Sequence, residues 1–185
     1  MIDDVLNTAE AKMSKAVEVL ARELAGLRTG RAHPGLVEHI RVDYYGTPTP
    51  LNQLAGISVP EARMLIIQPW DKGVMSPIEK AIIKSELGLN PSNDGTAIRL
   101  MIPQLTEERR KDLVKVVRKR VEEGRVAVRN VRREALGKLR EMEKKKEISE
   151  DDEKRAINQL QVLTDKIIEN VDQTGKDKEA EILET

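Results

Sequence analysis

The sequence predicts an α+β protein in which a long antiparallel three-helix bundle carries a small, hinged β/α/β domain. Three observations predict this fold. Apolar residues recur at helical spacing in one long segment at the start of the chain and in two at its end. The intervening residues 30–105 contain short alternating runs and turn residues instead. Aromatic residues make up only 2% of the chain, so the core must be aliphatic, which favours helical packing.

The first helix is predicted over residues 1–28. Asp3 and Asp4 begin it, because acidic side chains are favourable at the positive end of the helix dipole. The apolar residues that follow are three or four positions apart and predict one buried face: Leu6, Ala9, Met13, Ala16, Leu20, Leu24 and Leu27. Gly30 and Pro34 mark the end of the pattern.

Residues 30–105 predict the inserted domain. Apolar and polar residues alternate from 40 to 44, which indicates a first strand. Residues 45–50, YGTPTP, are interpreted as an extended, turn-rich stretch, because each proline pushes its predecessor towards β or polyproline geometry. Apolar runs at 63–67 and 97–102 predict two further strands.

A short helix is predicted between the last two strands. Ser76 is the expected N-cap and Pro77 suits the first helical position, where its missing N–H has no intrahelical partner to lose. The helix is expected to end near Leu87 and Gly88. The segment 93–95, Asn-Asp-Gly, predicts the turn that precedes the last strand.

Two long helices are predicted over residues 106–145 and 149–183. Thr106 and Ser149 are their expected N-caps, and acidic residues follow each of them. Gly124 lies on the apolar side of the first of these helices. It is interpreted as a point where a neighbouring helix approaches closely.

The three long helices are expected to pack together, because a lone amphipathic helix is not stable in water. The predicted domains are a discontinuous bundle, residues 1–29 with 106–185, and an inserted domain, residues 30–105. The chain passes between them twice, and such a pair of connections predicts a hinge. The predicted hinge residues are Thr29, Gly30, Pro103 and Gln104.

Residues 106–140 carry a strong local charge in a chain whose formal net charge is zero. They contain 13 Lys or Arg against 6 Asp or Glu, a net charge of +7. With about 100° of rotation per helical residue, five of these cations lie within roughly 40° of one line. We name these five the basic stripe: Lys111, Arg118, Arg125, Arg129 and Arg132. Glu122 is an acid of the same helix that lies on this face.

The basic stripe predicts binding to an anionic partner. Guanidinium groups match phosphate oxygens, so a nucleic-acid backbone suits the stripe. The chain has only two Tyr and one Trp, which disfavours base stacking and favours electrostatic and shape recognition of folded or double-helical RNA. Composition does not distinguish RNA from DNA. The alternative is a solvated helix face with salt bridges between residues four apart.

The sequence contains no convincing catalytic site, so an enzyme is not predicted. His33 and His39 lie in a loop and a strand without metal-ligand spacing to acids, and cysteine is absent. No cofactor, metal or small-molecule substrate is expected. No apolar run reaches the roughly 18 residues of a membrane span. A cytoplasmic protein that does not bind membranes is therefore expected. We also expect it to be a monomer.

Six segments closely resemble the bacterial ribosome recycling factor family, in order along essentially the whole chain. They are LRTGRA (27–32), DYYGTPTPL (43–51), LGLNP (87–91), LTEERRKDL (105–113), RVAVRNVRR (125–133) and KEISEDD (146–152). The resemblance implies an L-shaped pair of domains, a three-helix bundle and a hinged β/α/β domain. It also implies a non-enzymatic factor that, with elongation factor G and GTP, splits post-termination ribosomes into subunits after peptide release.

The same resemblance implies which residues bind the ribosome. The bundle is expected to lie on large-subunit ribosomal RNA through the arginines of residues 125–133. Residues 28–31 match a second basic cluster near the hinge, and the start of the second long helix is expected to add further contacts. The predicted site residues are Arg132, Arg129, Arg133, Arg28, Arg31, Arg109, Arg110 and Arg125.

A second class of function stays open at this stage. The same stripe suits a helical scaffold or adaptor that binds acidic protein partners. Robust binding to an acidic protein, with none to ribosomes, would favour that alternative.

Overall fold

The computed structural model describes residues 1–184 and contains two compact units. Unit 1 consists of Met1–Leu24 and Val114–Ala180, and unit 2 of Ala25–Leu113 with the last residues from Glu181 onwards. The helices are α1 (Ile2–Ala25), α2 (Met75–Lys84), α3 (Glu107–Lys144) and α4 (Glu150–Glu184). The predicted α+β class is confirmed. The limits predicted for the two domains depend on motion about a hinge. They therefore stay a prediction.

Unit 1 is an antiparallel bundle of three helices. Lys12 pairs with Glu134 at 3.0 Å and Glu23 with Arg120 at 3.8 Å, so residue numbers rise along α1 as they fall along α3. A methyl group at Gly124 of α3 would lie 3.5 Å from side chains of both α1 and α4, which places all three helices around one layer. The buried apolar residues are Ala9, Met13, Leu20, Leu24, Val117, Val121, Val128, Ala135, Leu139, Ala156, Leu160, Ile167 and Val171.

Neighbouring helices approach Gly124, as expected, but a still closer approach occurs at Gly175. A Cβ at Gly124 would make ordinary van der Waals contacts of 3.5 Å with Leu20 and Val171. A Cβ at Gly175 of α4 would instead overlap the Cγ2 methyl of Val121 on α3. A larger residue at Gly175 would therefore require Val121 to move. The presence of Gly175 does not interrupt α4, because the helix continues unbroken to Glu184.

The predicted caps of α3 and α4 are confirmed. Thr106 Oγ1 accepts a hydrogen bond from Arg109 N at 3.1 Å, and Ser149 Oγ accepts one from Asp152 N at 3.0 Å. Each satisfies a backbone N–H that the first turn of a helix leaves without an intrahelical partner. The predicted end of α1 at residue 28 was wrong, since the helix ends at Ala25.

Unit 2 contains a hairpin, a four-stranded sheet and α2. The hairpin pairs β1 (Arg41–Tyr44) with β2 (Thr47–Pro50). The sheet consists of β3 (Ala55–Glu61), β4 (Met64–Pro69), β5 (Ser92–Asn93) and β6 (Ile98–Met101), in the order β3-β4-β6-β5 with all pairs antiparallel. Its core lies between α2 and the strands, and includes Val42, Leu65, Ile67, Ile78, Ile82, Ile98 and Leu100.

Residues 45–50 form a turn and an extended segment, as predicted, and the extended segment is in addition paired as a strand. Tyr45 and Gly46 have φ of 49° and 89°, which is typical of a tight I′ hairpin turn, and Gly46 N donates to Asp43 Oδ1 at 2.7 Å. Residues 47–50 then pair with β1 as a strand despite two prolines. Because β2 has only β1 as a neighbouring strand among residues 1–184, prolines lacking an N–H are tolerated there.

Strand β3 and the limits of α2 were also missed. β3 is mostly exposed, so its sequence lacks a strong apolar period. Helix α2 begins at Met75 rather than at Pro77, because Asp71 accepts a hydrogen bond from Gly73 N and opens a 3-10 turn that leads directly into α2. The helix ends at Lys84, before the expected Leu87.

Candidate nucleic-acid interface

The basic stripe lies on the solvent side of α3, and four of its members belong to unit 1. Val117, Val121 and Val128 are buried in the bundle and fix which face of α3 turns inwards. Arg118, Arg125, Arg129 and Arg132 are therefore held along the outer side of one helix. Within residues 106–140 this arrangement follows directly from helical periodicity.

Acidic residues of α4 reach the stripe, which analysis of α3 alone missed. Arg118 Nε donates to Glu179 Oε1 at 2.9 Å, and Arg125 Nε donates to Asp172 Oδ1 at 2.7 Å. Both pairs fit the same antiparallel register, since seven residues separate the two arginines and the two acids. Seven residues are about two helical turns, so the partners repeat on one face of each helix.

Arg125 is the most completely paired arginine of the stripe. Besides its bonds to Asp172, it donates from Nη1 to Glu122 at 2.9 Å. Glu122 also contacts Arg129 Nη1 at 3.3 Å. The hydrogen bond from Arg125, followed by the charge of Arg129, lowers the pKa of the Glu122 carboxyl. The bonds to Glu122 and then Asp172 raise the pKa of Arg125, so this group stays charged and joins α3 to α4.

Arg132 and Arg133 differ from Arg125. Neither makes a hydrogen bond or ion pair with any part of the chain that the structure describes. Arg132 is partly buried and Arg133 is exposed. Arg129 has one long contact, to Glu122. These three arginines are therefore the cations of residues 125–133 that are most available to a phosphate.

Four predicted site residues lie in unit 2. Arg31 and Arg109 are exposed, and Arg28 is partly exposed. Arg110 is also partly exposed, but its Nε is buried and has no hydrogen-bond partner within residues 1–184. Such a buried donor is unfavourable unless a partner is supplied.

The predicted hinge residues also lie in unit 2. Gly30 has φ of 81°, a left-handed conformation that favours glycine. Thr29 is buried, and its Oγ1 donates to Glu181 Oε1 at 3.1 Å. Pro103 and Gln104 are exposed and lie outside any helix or strand. Their role as a hinge stays a prediction.

His33 has a structural role. His33 Nδ1 accepts a hydrogen bond from Gly35 N at 2.9 Å and caps a 3-10 turn, while His39 Nε2 lies 3.4 Å from Glu38. Among residues 1–184, no group of three His, Asp or Glu side chains is placed to hold a metal ion. No helix in the same residues is long and apolar enough to cross a bilayer.

Comparison with known proteins relates this arrangement to one family. The sequence model of the ribosome recycling factor family matches residues 20–183 of this chain. The chain is 59% identical to the ribosome-recycling factors of Thermomicrobium roseum and Syntrophomonas wolfei, over 184 residues and the full length of each protein. A third relative, from Halalkalibacterium halodurans, is also 59% identical over the full length.

Two solved structures share the fold. The solution structure of a ribosome recycling factor is 49% identical with a TM-score of 0.79, covering 100% of this chain and 98% of the other. The T. thermophilus ribosome recycling factor, in models with E. coli elongation factor G bound to the E. coli post-termination complex, is 51% identical with a TM-score of 0.71 and 99% coverage of both chains. The chain therefore belongs to the ribosome recycling factor family, whose members are non-enzymatic translation factors.

Proposed function

We propose that this chain binds large-subunit ribosomal RNA through the stripe of α3 and, together with elongation factor G and GTP, separates the subunits of post-termination ribosomes. Membership of the family supports the process. The observation that supports the binding surface is the presence of Arg132 and Arg133 on a 38-residue helix without acidic partners within residues 1–184. We propose that the chain acts as a monomer in the cytoplasm, where post-termination ribosomes are found.

The proposed division of labour follows from the two units. The bundle supplies a long helix whose arginines contact phosphates without reading bases, so binding is governed by charge and shape. The predicted hinge at Thr29, Gly30, Pro103 and Gln104 allows the inserted domain to move when elongation factor G acts on it. In the solved relative, recycling factor and elongation factor G are bound to one post-termination complex, which supports this partner.

The proposal is tested by mixing model post-termination ribosomes with the full-length protein, elongation factor G and GTP, and following subunits by light scattering or sedimentation. Subunits are expected only when all three are present. A cognate recycling factor serves as positive control for the ribosomes and the elongation factor. If that control splits ribosomes and this protein does not, the proposed function is wrong.

A further inference from the structure

Arg118 is paired in a different way from the other arginines of the stripe. Its Nε donates to Glu179 Oε1 at 2.9 Å, and its two terminal nitrogens make no hydrogen bond within residues 1–184. The Arg118 side chain is 72% exposed, whereas that of Glu179 is 25% exposed. The carboxylate therefore fixes the guanidinium at its inner nitrogen and leaves the two outer nitrogens open to solvent.

Arg125, two turns further along α3, shows the contrasting arrangement. All three of its nitrogens contact Asp172 or Glu122, and its side chain is 33% exposed. Every nitrogen of Arg125 already contacts a carboxylate, so Arg125 is less available to a phosphate than Arg118 is. Two arginines on one face of one helix therefore have different capacities to bind an external anion.

The surroundings of Arg118 also suit an anion. Arg118, Arg125 and Lys176 line one groove of about 390 Å³ between α3 and α4, together with Glu122, Asp172 and Glu179. The acids are all engaged by arginines, whereas Lys176 is exposed and has no ion pair within residues 1–184. Arg118 and Lys176 are thus two cations with free donors at the same groove.

We propose that Arg118, oriented by Glu179, is a further phosphate-binding residue of the RNA-binding surface of α3. The inference rests on the proposed function, because it takes ribosomal RNA as the ligand. A guanidinium that is already oriented loses less side-chain entropy on binding, and its remaining fork of N–H groups matches phosphate oxygens. Arg118 lies eleven residues, about 16 Å, before Arg129 on the same stripe, so it extends the contact along the helix.

A solvated ion pair is the competing explanation of the same contact. Exposed pairs contribute little to stability. If Arg118 and Glu179 served only as such a pair, substituting either would leave ribosome binding unchanged apart from the general effect of net charge. Lys119, the next residue, provides a matched control for that effect, because it is an exposed cation without a partner in the described residues.

The test measures the affinity of full-length variants for isolated large ribosomal subunits at several salt concentrations. Arg118→Gln is expected to weaken binding about tenfold and to reduce the slope of log affinity against log salt by about one. Lys119→Gln is expected to change the affinity and the salt slope much less. Equal effects of the two substitutions would overturn the proposal.

Glu179 tests the orientation of Arg118 separately from its charge. Glu179→Gln removes the negative charge but keeps an oxygen that accepts from Arg118 Nε, whereas Glu179→Ala removes both. The alanine variant is expected to bind large subunits several-fold more weakly than the glutamine variant. Equal affinity of the two variants would show that Glu179 does not position Arg118.

Failure of this inference is distinguishable from failure of the proposed function. The proposed function is wrong if the unsubstituted protein does not bind large subunits. It is also wrong if the Arg132→Gln variant binds large subunits with the same affinity as the unsubstituted protein. If Arg132→Gln weakens binding while Arg118→Gln matches Lys119→Gln, only the role of Arg118 is wrong. Thermal unfolding of each variant confirms that it is folded.

Discussion

The arginines of α3 are distinguished by their partners and not by their residue type. Arg125 contacts Asp172 at 2.7 Å and Glu122 at 2.9 Å, while Arg132 has no such partner within residues 1–184. A paired arginine contributes to the folded state of the free protein. An unpaired arginine keeps its donors for a ligand. Substituting the two residues should therefore affect different measurements.

Arg132→Ala is expected to weaken binding to large ribosomal subunits and to reduce the salt slope by about one, with unchanged stability, because it removes a phosphate contact. Arg125→Ala is expected to lower the free energy of unfolding by about 1 kcal/mol, as for other partly exposed pairs, and to affect binding less. Chemical denaturation compares the stability of the two variants, and binding titrations compare their affinity for large subunits. A larger loss of affinity for Arg125→Ala than for Arg132→Ala would contradict the prediction.

Asp94 provides a prediction for pH. Its Oδ1 accepts hydrogen bonds at 2.9 Å from Thr96 N, Thr96 Oγ1 and Ala97 N, and the two backbone bonds are the main reason that the pKa of Asp94 falls to about 2. A carboxyl whose pKa is lower in the folded state stabilises the protein above its ordinary pKa of 3.8. That stabilisation is lost as pH falls from 3.8 to about 2.

Asp94→Asn keeps an oxygen acceptor in this turn but does not titrate. The unsubstituted protein is expected to be the more stable of the two at neutral pH, and the difference should shrink as pH falls from 3.8 to about 2. Urea denaturation of both proteins at a series of pH values measures this difference. A difference that is constant over the whole range would show that the charge of Asp94 does not stabilise the turn.

At the residue scale, the sequence showed which arginines are present but not which are paired. Glu122 could be assigned to the stripe because it lies three residues before Arg125 on the same helix. Asp172 lies 47 positions from Arg125 and Glu179 lies 61 from Arg118, so these contacts depend on the register of α3 against α4. Periodicity predicts which face a helix buries but does not specify that register.

Among the elements, the long helices contain two glycines, Gly175 and Gly137, in opposite environments. Gly175 of α4 faces Val121 so closely that a Cβ would overlap its Cγ2 methyl, and Val121 is a buried, β-branched residue with little rotamer freedom. Gly137 of α3 is exposed and has nothing within 4 Å of the Cβ position. The same substitution should therefore have opposite effects at the two positions.

Gly175→Ala is expected to destabilise the protein, because overpacking costs about 1–3 kcal/mol and exceeds the gain of about 1 kcal/mol in helix propensity. Gly137→Ala is expected to stabilise it by about 0.5–1 kcal/mol, because only the gain in helix propensity applies. Denaturant unfolding, with far-UV circular dichroism as the signal, compares both with the unsubstituted protein. Stabilisation by Gly175→Ala would show that α3 and α4 are not in close contact there.

The elements that could be predicted from the sequence are those with many repeats of one period. Helices of 24, 38 and 35 residues each repeat their apolar spacing many times, and side-chain caps mark where α3 and α4 begin. Strands β2 and β3 could not be predicted in the same way. β2 has two prolines in four residues, and the exposed residues of β3 give no apolar alternation.

On the scale of the whole molecule, the fold class followed from the similar apolar spacing of the first helix and the last two. That similarity indicated that helices far apart in sequence share a core, and the layer of Leu20, Gly124 and Val171 confirms it. The extent of each domain does not follow from periodicity, because α3 and α4 continue without a break through the limits of the two compact units. A hinge is a property of motion, so it requires a functional test.

The last prediction concerns that hinge. Inserting two glycines after Gln104 would loosen one of the two predicted connections, in a segment that is exposed and outside any helix or strand. The insertion leaves Arg129, Arg132 and Arg133 unchanged in unit 1. We therefore expect it to preserve binding to large subunits and to slow subunit separation by elongation factor G, since a looser connection transmits less force.

The control carries the same two glycines after Gly88, in the segment between α2 and β5, where they lengthen an exposed loop without touching either predicted connection. Both variants are compared with the unsubstituted protein for affinity and for the rate of splitting, with thermal unfolding to confirm folding. Slower splitting at full affinity, seen only for the insertion after Gln104, would support transmission of force through the hinge. Loss of affinity in that variant would instead show that the connection is part of the binding surface, and equal splitting by all three proteins would remove the hinge from the mechanism.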